Sequence, residues 1–172
     1  MTLRRTALLA VSVAALALGA CAKKAPETLP PVPDGSSATG DTTTGTAPGV
    51  VPGSQQDFVA SISSDRIFFD YDQFNVDADD QATLRSQATW MQRYPAVRVL
   101  VEGHADERGT RDYNLALGER RANAAKNYLA SLGIDPARID TISYGKERPD
   151  AVGSNEESWA RNRRAVSVII QQ

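Results

Sequence analysis

The sequence predicts an α/β (α+β) sandwich, a small β-sheet with helices packed on it, preceded by a disordered tether. Three observations predict it. After about residue 57, apolar residues recur alternately with period two and with helical spacing. Gly and Pro stand between those blocks. Before residue 57, the segment after the leader is too poor in large apolar side chains to offset the entropy of ordering it.

Arg66-Ile67-Phe68-Phe69 is a first strand. Asp77, Asp79 and Asp80 place negative charge where a helix start favours it, and Leu84, Ala88 and Met91 follow at helical spacing until Tyr94-Pro95. Val97, Val99 and Val101 alternate with Arg98, Leu100 and Glu102, a second strand ending at Gly103. Ala122, Ala125, Leu129 and Leu132 mark one face of a second helix, closed by Gly133 with Pro136 beyond. Ile139 to Tyr144 is a third strand. Ser154 and Glu157 have the spacing of a capping box for a short helix around Trp159, and Val166, Val168 and Ile170 form the last strand. Strands alternating with helices are what a sheet with packed helices requires.

The N-terminus reads differently. Arg4 and Arg5 precede an apolar run from Ala7 to Ala20. Roughly fourteen residues fall short of the about twenty that cross a bilayer, so the run is a secretory signal. Leu18-Gly19-Ala20-Cys21 resembles the lipobox of bacterial lipoproteins, which makes Cys21 the lipidated first residue of the mature chain and explains why it is the only cysteine. Each buried methylene contributes about 0.8 kcal/mol, so several acyl chains make a near-permanent anchor. By the same resemblance, Ala22 rather than Asp after the cysteine implies the outer membrane. The expected organisation is a signal peptide at 1–20, a lipidated cysteine and linker at 21–56, and a folded domain at 57–172. A flexible stretch of about 35 residues spans on the order of 30 Å, or about 120 Å fully extended.

Charge and composition exclude several functions. The formal charge is −2, and loss of Arg4 and Arg5 leaves seventeen basic against twenty-one acidic residues, a net −4. No basic footprint for nucleic acid results. One histidine and one cysteine fall short of a tetrahedral zinc site, no loop alternates carboxylates as a calcium loop does, and no cofactor is expected.

The densest polar stretch runs from Gly103-His104-Ala105-Asp106 through Tyr113-Asn114 to Arg121. It is a strand end, a loop and the first turns of a helix, where a rigid scaffold presents loop groups together. If the loop folds back on the sheet, Asp106 and Arg121 face one cleft and suit a zwitterion, the carboxylate receiving an ammonium and the guanidinium gripping a carboxylate. Equally open on spacing alone is that the two pair with each other, or with Glu107, Arg108, Glu119 and Arg120. His104 beside Asp106 has no serine or cysteine nucleophile with it and reads as structural or as pocket wall. Asp106 with Glu107 or Asp112 makes a weak glycosidase pair. Tyr113, Tyr144, Trp90 and Trp159 read as core or rim aromatics.

Gly103-His104-Ala105-Asp106, Tyr113-Asn114, Leu117-Gly118-Glu119-Arg120-Arg121-Ala122, Ser143-Tyr144-Gly145 and Asn162-Arg163-Arg164 resemble the OmpA-like peptidoglycan-binding domain family, in the family's order, from about Ile67 to Ile170. The resemblance implies a small mixed sheet and a non-catalytic domain that holds the meso-diaminopimelate of uncrosslinked wall peptide. It implies that Asp106 and Arg121 grip that ligand and that Asn114 supports them. Phe69, Asp70, Tyr71 and Asp72 would line the pocket through backbone or side chains. Arg163 and Arg164 match a family motif, which salt bridges holding the last strand explain equally well. With the lipid on Cys21, the resemblance implies a tether between outer membrane and peptidoglycan, facing the periplasm. It would work with TolB and the Tol system in envelope integrity and cell division.

Overall fold

A computed structural model describes residues 49–170. The signal segment, Cys21 and the linker up to residue 48 lie outside the described residues.

The elements are α1 (Gln55–Ser61), β1 (Arg66–Phe68), α2 (Ala78–Arg93), β2 (Arg98–His104), α3 (Arg111–Ser131), a 3₁₀ turn (Pro136–Arg138), β3 (Ile139–Gly145), α4 (Glu156–Asn162) and β4 (Arg164–Ile170). The sheet order is β1-β4-β2-β3. β4 is antiparallel to both its neighbours, and β2 pairs with β3 in parallel across α3, so the sheet is mixed as expected. Val99, Val101, Ile139, Ala165 and Ile169 meet Leu84, Ala88, Met91, Ala122, Ala125 and Leu129 in one core between sheet and helices.

Local signals account for most boundaries. Asp77 caps α2 by accepting a bond from the Asp80 N–H at 2.8 Å. Thr110 caps α3 at the Tyr113 N–H. Gly133, at φ +90°, ends that helix as its position predicts.

Two boundaries differ from expectation. Helix α4 is capped by Asn155, which accepts from the Ser158 N–H at 2.9 Å; the Ser154–Glu157 spacing lies one residue out of register. Helix α1 begins at Gln55, inside the last residues given to the linker. Ser54 caps it, Asp57 accepts bonds from the Gly53 N–H and the Trp90 indole N–H, and Phe58 is fully buried against Trp90. One buried ring per seven residues is too sparse a periodicity to announce a helix.

The position of α3 depends on a glycine pair. A Cβ on Gly103 would stand 1.8 Å from the Gly118 carbonyl oxygen, and one on Gly118 would stand 2.3 Å from the Ser143 hydroxyl. With no side chain on either, the helix lies directly on β2. Substitution of Gly103 by Ala has to push α3 off the sheet. We expect a loss of about 2–3 kcal/mol or more, read as a shift of the urea midpoint, because the clashing atom is backbone. An unchanged midpoint in Gly103→Ala contradicts this packing.

Candidate functional site

Close approach of α3 to β2 sends the Arg121 side chain beneath the segment between β1 and α2. Arg121 is 0% exposed. Its Nε donates to the Gln73 carbonyl at 2.8 Å, Nη1 to the His104 carbonyl at 2.8 Å and Nη2 to the Asp70 carbonyl at 3.1 Å. The Phe69 ring lies 5.1 Å from the guanidinium carbon. Three of five N–H groups are thus engaged and two remain. Burial, then Arg163, push the Arg121 pKa down to about 10, which leaves it charged at neutral pH. Among the described residues no carboxylate forms an ion pair with it.

The parallel ladder of β2 and β3 shifts register between Gly103 and His104, and the Ala105 N–H bonds to the Gly145 carbonyl at 2.8 Å. Asp106 follows directly and is 5% exposed. Its Oδ1 accepts from the Arg108 backbone N–H (3.0 Å) and Nε (3.1 Å), and its Oδ2 accepts from Arg108 Nη2 (2.6 Å). Arg163 Nη1 stands 3.5 Å from the same Oδ2. Burial alone would raise the Asp106 carboxyl; the bonds from Arg108 and the charge of Arg163 outweigh it and hold the group below its usual range.

Asp106 and Arg121 line one cleft of about 130 Å³ with Tyr71, Asp72, Arg108, Gly109, Tyr113, Asn114 and Leu117. Asn114 is buried and its Nδ2 donates to the Arg108 carbonyl at 2.7 Å, pinning the loop. Tyr113 donates its hydroxyl to Asp72, whose backbone sits at φ +58°, a conformation that Asp tolerates better than most residues.

The structure therefore brings Asp106, Arg121, Asn114 and Asp72 together. Phe69 and Asp70 do not line that cleft. The Phe69 ring is buried in the core and its carbonyl accepts from Arg163 Nε at 2.9 Å. The two residues line a neighbouring, wider depression with Phe68, Asn75, Asp77, Arg161 and Arg163. Both residues serve the cleft through main-chain carbonyls that hold arginines.

His104 contributes its carbonyl to Arg121, while its imidazole is buried elsewhere, 3.6 Å from Glu102 and beside the Tyr144 ring. Trp90 belongs to the core; Tyr113 stands at the rim. Tyr71 lines the cleft as expected; sequence reasoning missed Arg108 and Leu117 as cleft residues, read Tyr113 only as a core or rim aromatic, and gave Arg163 no side toward Asp106. Arg108, two residues past Asp106 in the loop, was readable only as one of several surface charges. Among the described residues, no group of His, Cys, Asp or Glu side chains is arranged to hold a metal ion.

Residues 68–163 match the OmpA family. The chain is 49% identical over 166 residues to the peptidoglycan-associated lipoprotein of Agrobacterium fabrum, covering 96% of this chain and 88% of that one. It is 57% identical over 118 residues to the protein of the same name from Brucella melitensis, covering 69% and 70%. The crystal structure of the peptidoglycan-associated lipoprotein from Burkholderia pseudomallei aligns with a TM-score of 0.62 at 40% identity, over 66% of this chain and all of that one.

Two buried groups near these elements make stability depend on pH in opposite senses. Burial, then Arg164, push the His104 pKa down to about 4. The unfolded imidazole titrates near 6.5, so between those values the unfolded chain binds a proton that the folded one refuses. His104 therefore costs about 2–3 kcal/mol of stability as pH falls from 6.5 to 4. Burial raises the Asp80 carboxyl to about 6, so the folded chain takes up that proton first and gains stability as pH falls from about 6 to 4. Urea unfolding at pH 4, 5, 6 and 7 should show His104→Gln less sensitive to acid than wild type and Asp80→Asn more sensitive. Parallel curves for all three contradict both assignments.

Proposed function

The chain belongs to the OmpA family, and from that premise we propose that its C-terminal domain holds peptidoglycan without cutting it. The ligand is the meso-diaminopimelate of uncrosslinked stem peptide. Asp106 receives its ammonium and the two remaining N–H groups of Arg121 take its carboxylate. Asn114 fixes the loop between them, and the Phe69–Asp72 segment closes the far side, Asp72 with its side chain and Phe69 and Asp70 with main-chain groups. The observation that carries this reading is a buried guanidinium that, among the described residues, has no carboxylate partner, in the same small cleft as a buried carboxylate. A head group bearing both charges satisfies each end at once.

Together with a lipid on Cys21, this makes the protein an outer-membrane lipoprotein whose domain faces the periplasm and ties that membrane to the wall. The reading extends to a Tol-Pal system in which TolB and peptidoglycan compete for one face, with a role in envelope integrity and cell division. Exposed aromatics at the rim favour a protein contact there: Tyr71 is 62% exposed and Tyr113 46%. A pull-down with TolB in excess wall peptide should show the competition, and simultaneous binding contradicts a shared surface.

Charge-assisted hydrogen bonds contribute about 1.5–3 kcal/mol each, and 1.4 kcal/mol is tenfold in affinity. Asp106→Ala should weaken sedimentation with purified sacculi at least tenfold while the circular dichroism spectrum is retained. Arg121→Ala is the poorer probe, because it also strips the Asp70, Gln73 and His104 carbonyls of their donor. Calorimetry should show diaminopimelate-type stem peptide preferred over lysine-type, which lacks the carboxylate for Arg121. Equal affinities for the two rule out the assignment.

A further inference from the structure

The carboxylate at the centre of the cleft carries more positive charge than a zwitterion's partner needs. Arg108 covers both Asp106 oxygens with three hydrogen bonds, and Arg163 Nη1 lies 3.5 Å from Oδ2. That Nη1 is buried and makes no hydrogen bond. A ligand ammonium arriving at Asp106 would be a third cation on one carboxylate. Like charges at contact distance repel strongly in a poorly solvated site. One of the three has to yield.

The surroundings decide which. Arg163 is 6% exposed, donates to the Phe69 carbonyl at 2.9 Å and pairs with Glu156 at 2.7 Å. Its place is fixed by the first strand and α4. Arg108 is held less firmly from outside the cleft, its Nη1 standing 3.9 Å from the same Glu156. Its side chain is 30% exposed, it belongs to the loop at the mouth of the cleft, and its carbonyl rather than its side chain is what Asn114 holds. Its guanidinium carbon lies 4.3 Å from the centre of the exposed Tyr71 ring and 4.1 Å from that of the half-buried Trp159 ring, outside the hydrophobic core. It can leave Asp106 without unpacking the core.

We propose that Arg108 is an internal competitor for the ammonium subsite: it holds Asp106 in the geometry of this structure, and the ligand binds by exchanging its own ammonium for the Arg108 guanidinium. This rests on the reading of the cleft given under Proposed function. Exchange sets affinity by difference, since each bond the ligand makes at Asp106 replaces one that Arg108 made. It also sets selectivity. A head group with a carboxylate but no ammonium can approach Arg121 but cannot take Asp106 from Arg108. After exchange, the fixed Arg163 keeps Asp106 ionised.

The experiment is calorimetric titration of the full-length protein with a synthetic stem peptide ending in meso-diaminopimelate, comparing wild type, Arg108→Lys and Arg108→Gln. Removing a competitor that holds the subsite most of the time should tighten binding about tenfold in Arg108→Gln. Arg108→Lys, which keeps the charge but not the two-oxygen clasp, should fall between it and wild type. Weaker binding by Arg108→Gln overturns the proposal by making Arg108 part of the grip, and unchanged binding overturns it by leaving Arg108 in place. If Arg108→Gln fails to fold, wild-type fluorescence decides. Withdrawal of the guanidinium from the Trp159 ring should change emission on peptide addition, and the change should vanish in Trp159→Phe. No such change at saturating peptide overturns the exchange. Absence of any wild-type binding overturns the reading of the cleft itself, and the exchange with it.

Discussion

The structure turns on the buried guanidinium of Arg121. A cation taken this far from water is costly unless its hydrogen-bonding groups are met, and here three main-chain carbonyls meet it. Those carbonyls belong to two separate stretches of chain, the end of β2 and the 70–73 segment that follows β1. One side chain therefore joins the sheet's end to the loop that lies over it. The same side chain keeps two donors for the cleft, so fold and site share an anchor and neither can be altered alone. The Gly103–Gly118 contact is the condition for this, because only a helix lying on the strand lets an arginine on its next turn reach under the loop.

Arginine does elsewhere in the domain what it does here. Arg163 reaches from the start of β4 to the Phe69 carbonyl and to Asp106, Arg138 donates to the Val97, Met91 and Tyr94 carbonyls, and Arg108 closes over Asp106. The planar, multiply donating head group suits positions where chain segments without regular pairing must be tied together.

How much of this was legible in the sequence follows from the distance over which each signal acts. The alternation in 97–102, the helical spacing from Leu84 to Met91 and the Gly133 stop are local, and the elements formed where they pointed. Helix α1 was illegible because its evidence is tertiary: Phe58 finds Trp90, and Asp57 finds the Trp90 indole, 33 residues away. In the site, Asp106 and Arg121 could be paired as opposite charges on a strand end and the following helix. That Arg108 would clasp Asp106 depends on the turn of one loop, and that Arg163 would stand beside it depends on β4 pairing next to β2. Phe69 and Asp70 were legible as neighbours of the pocket, but side-chain direction in so short an extended segment hangs on which ring the core takes.

Residues 51–54 border one depression with Ala96, Val97, Ile169 and Ile170, at the start of β2 and the end of β4. Asp106 follows the other end of β2, and Arg163 precedes the other end of β4. The two central strands thus run the length of the domain between the point where the chain comes in and the cleft. They are paired from Arg98 opposite Ile170 to Gly103 opposite Ala165, with rungs perpendicular to the strands. A mechanical load applied between those two ends pulls along the ladder in shear, so its rungs share the tension instead of unzipping one after another.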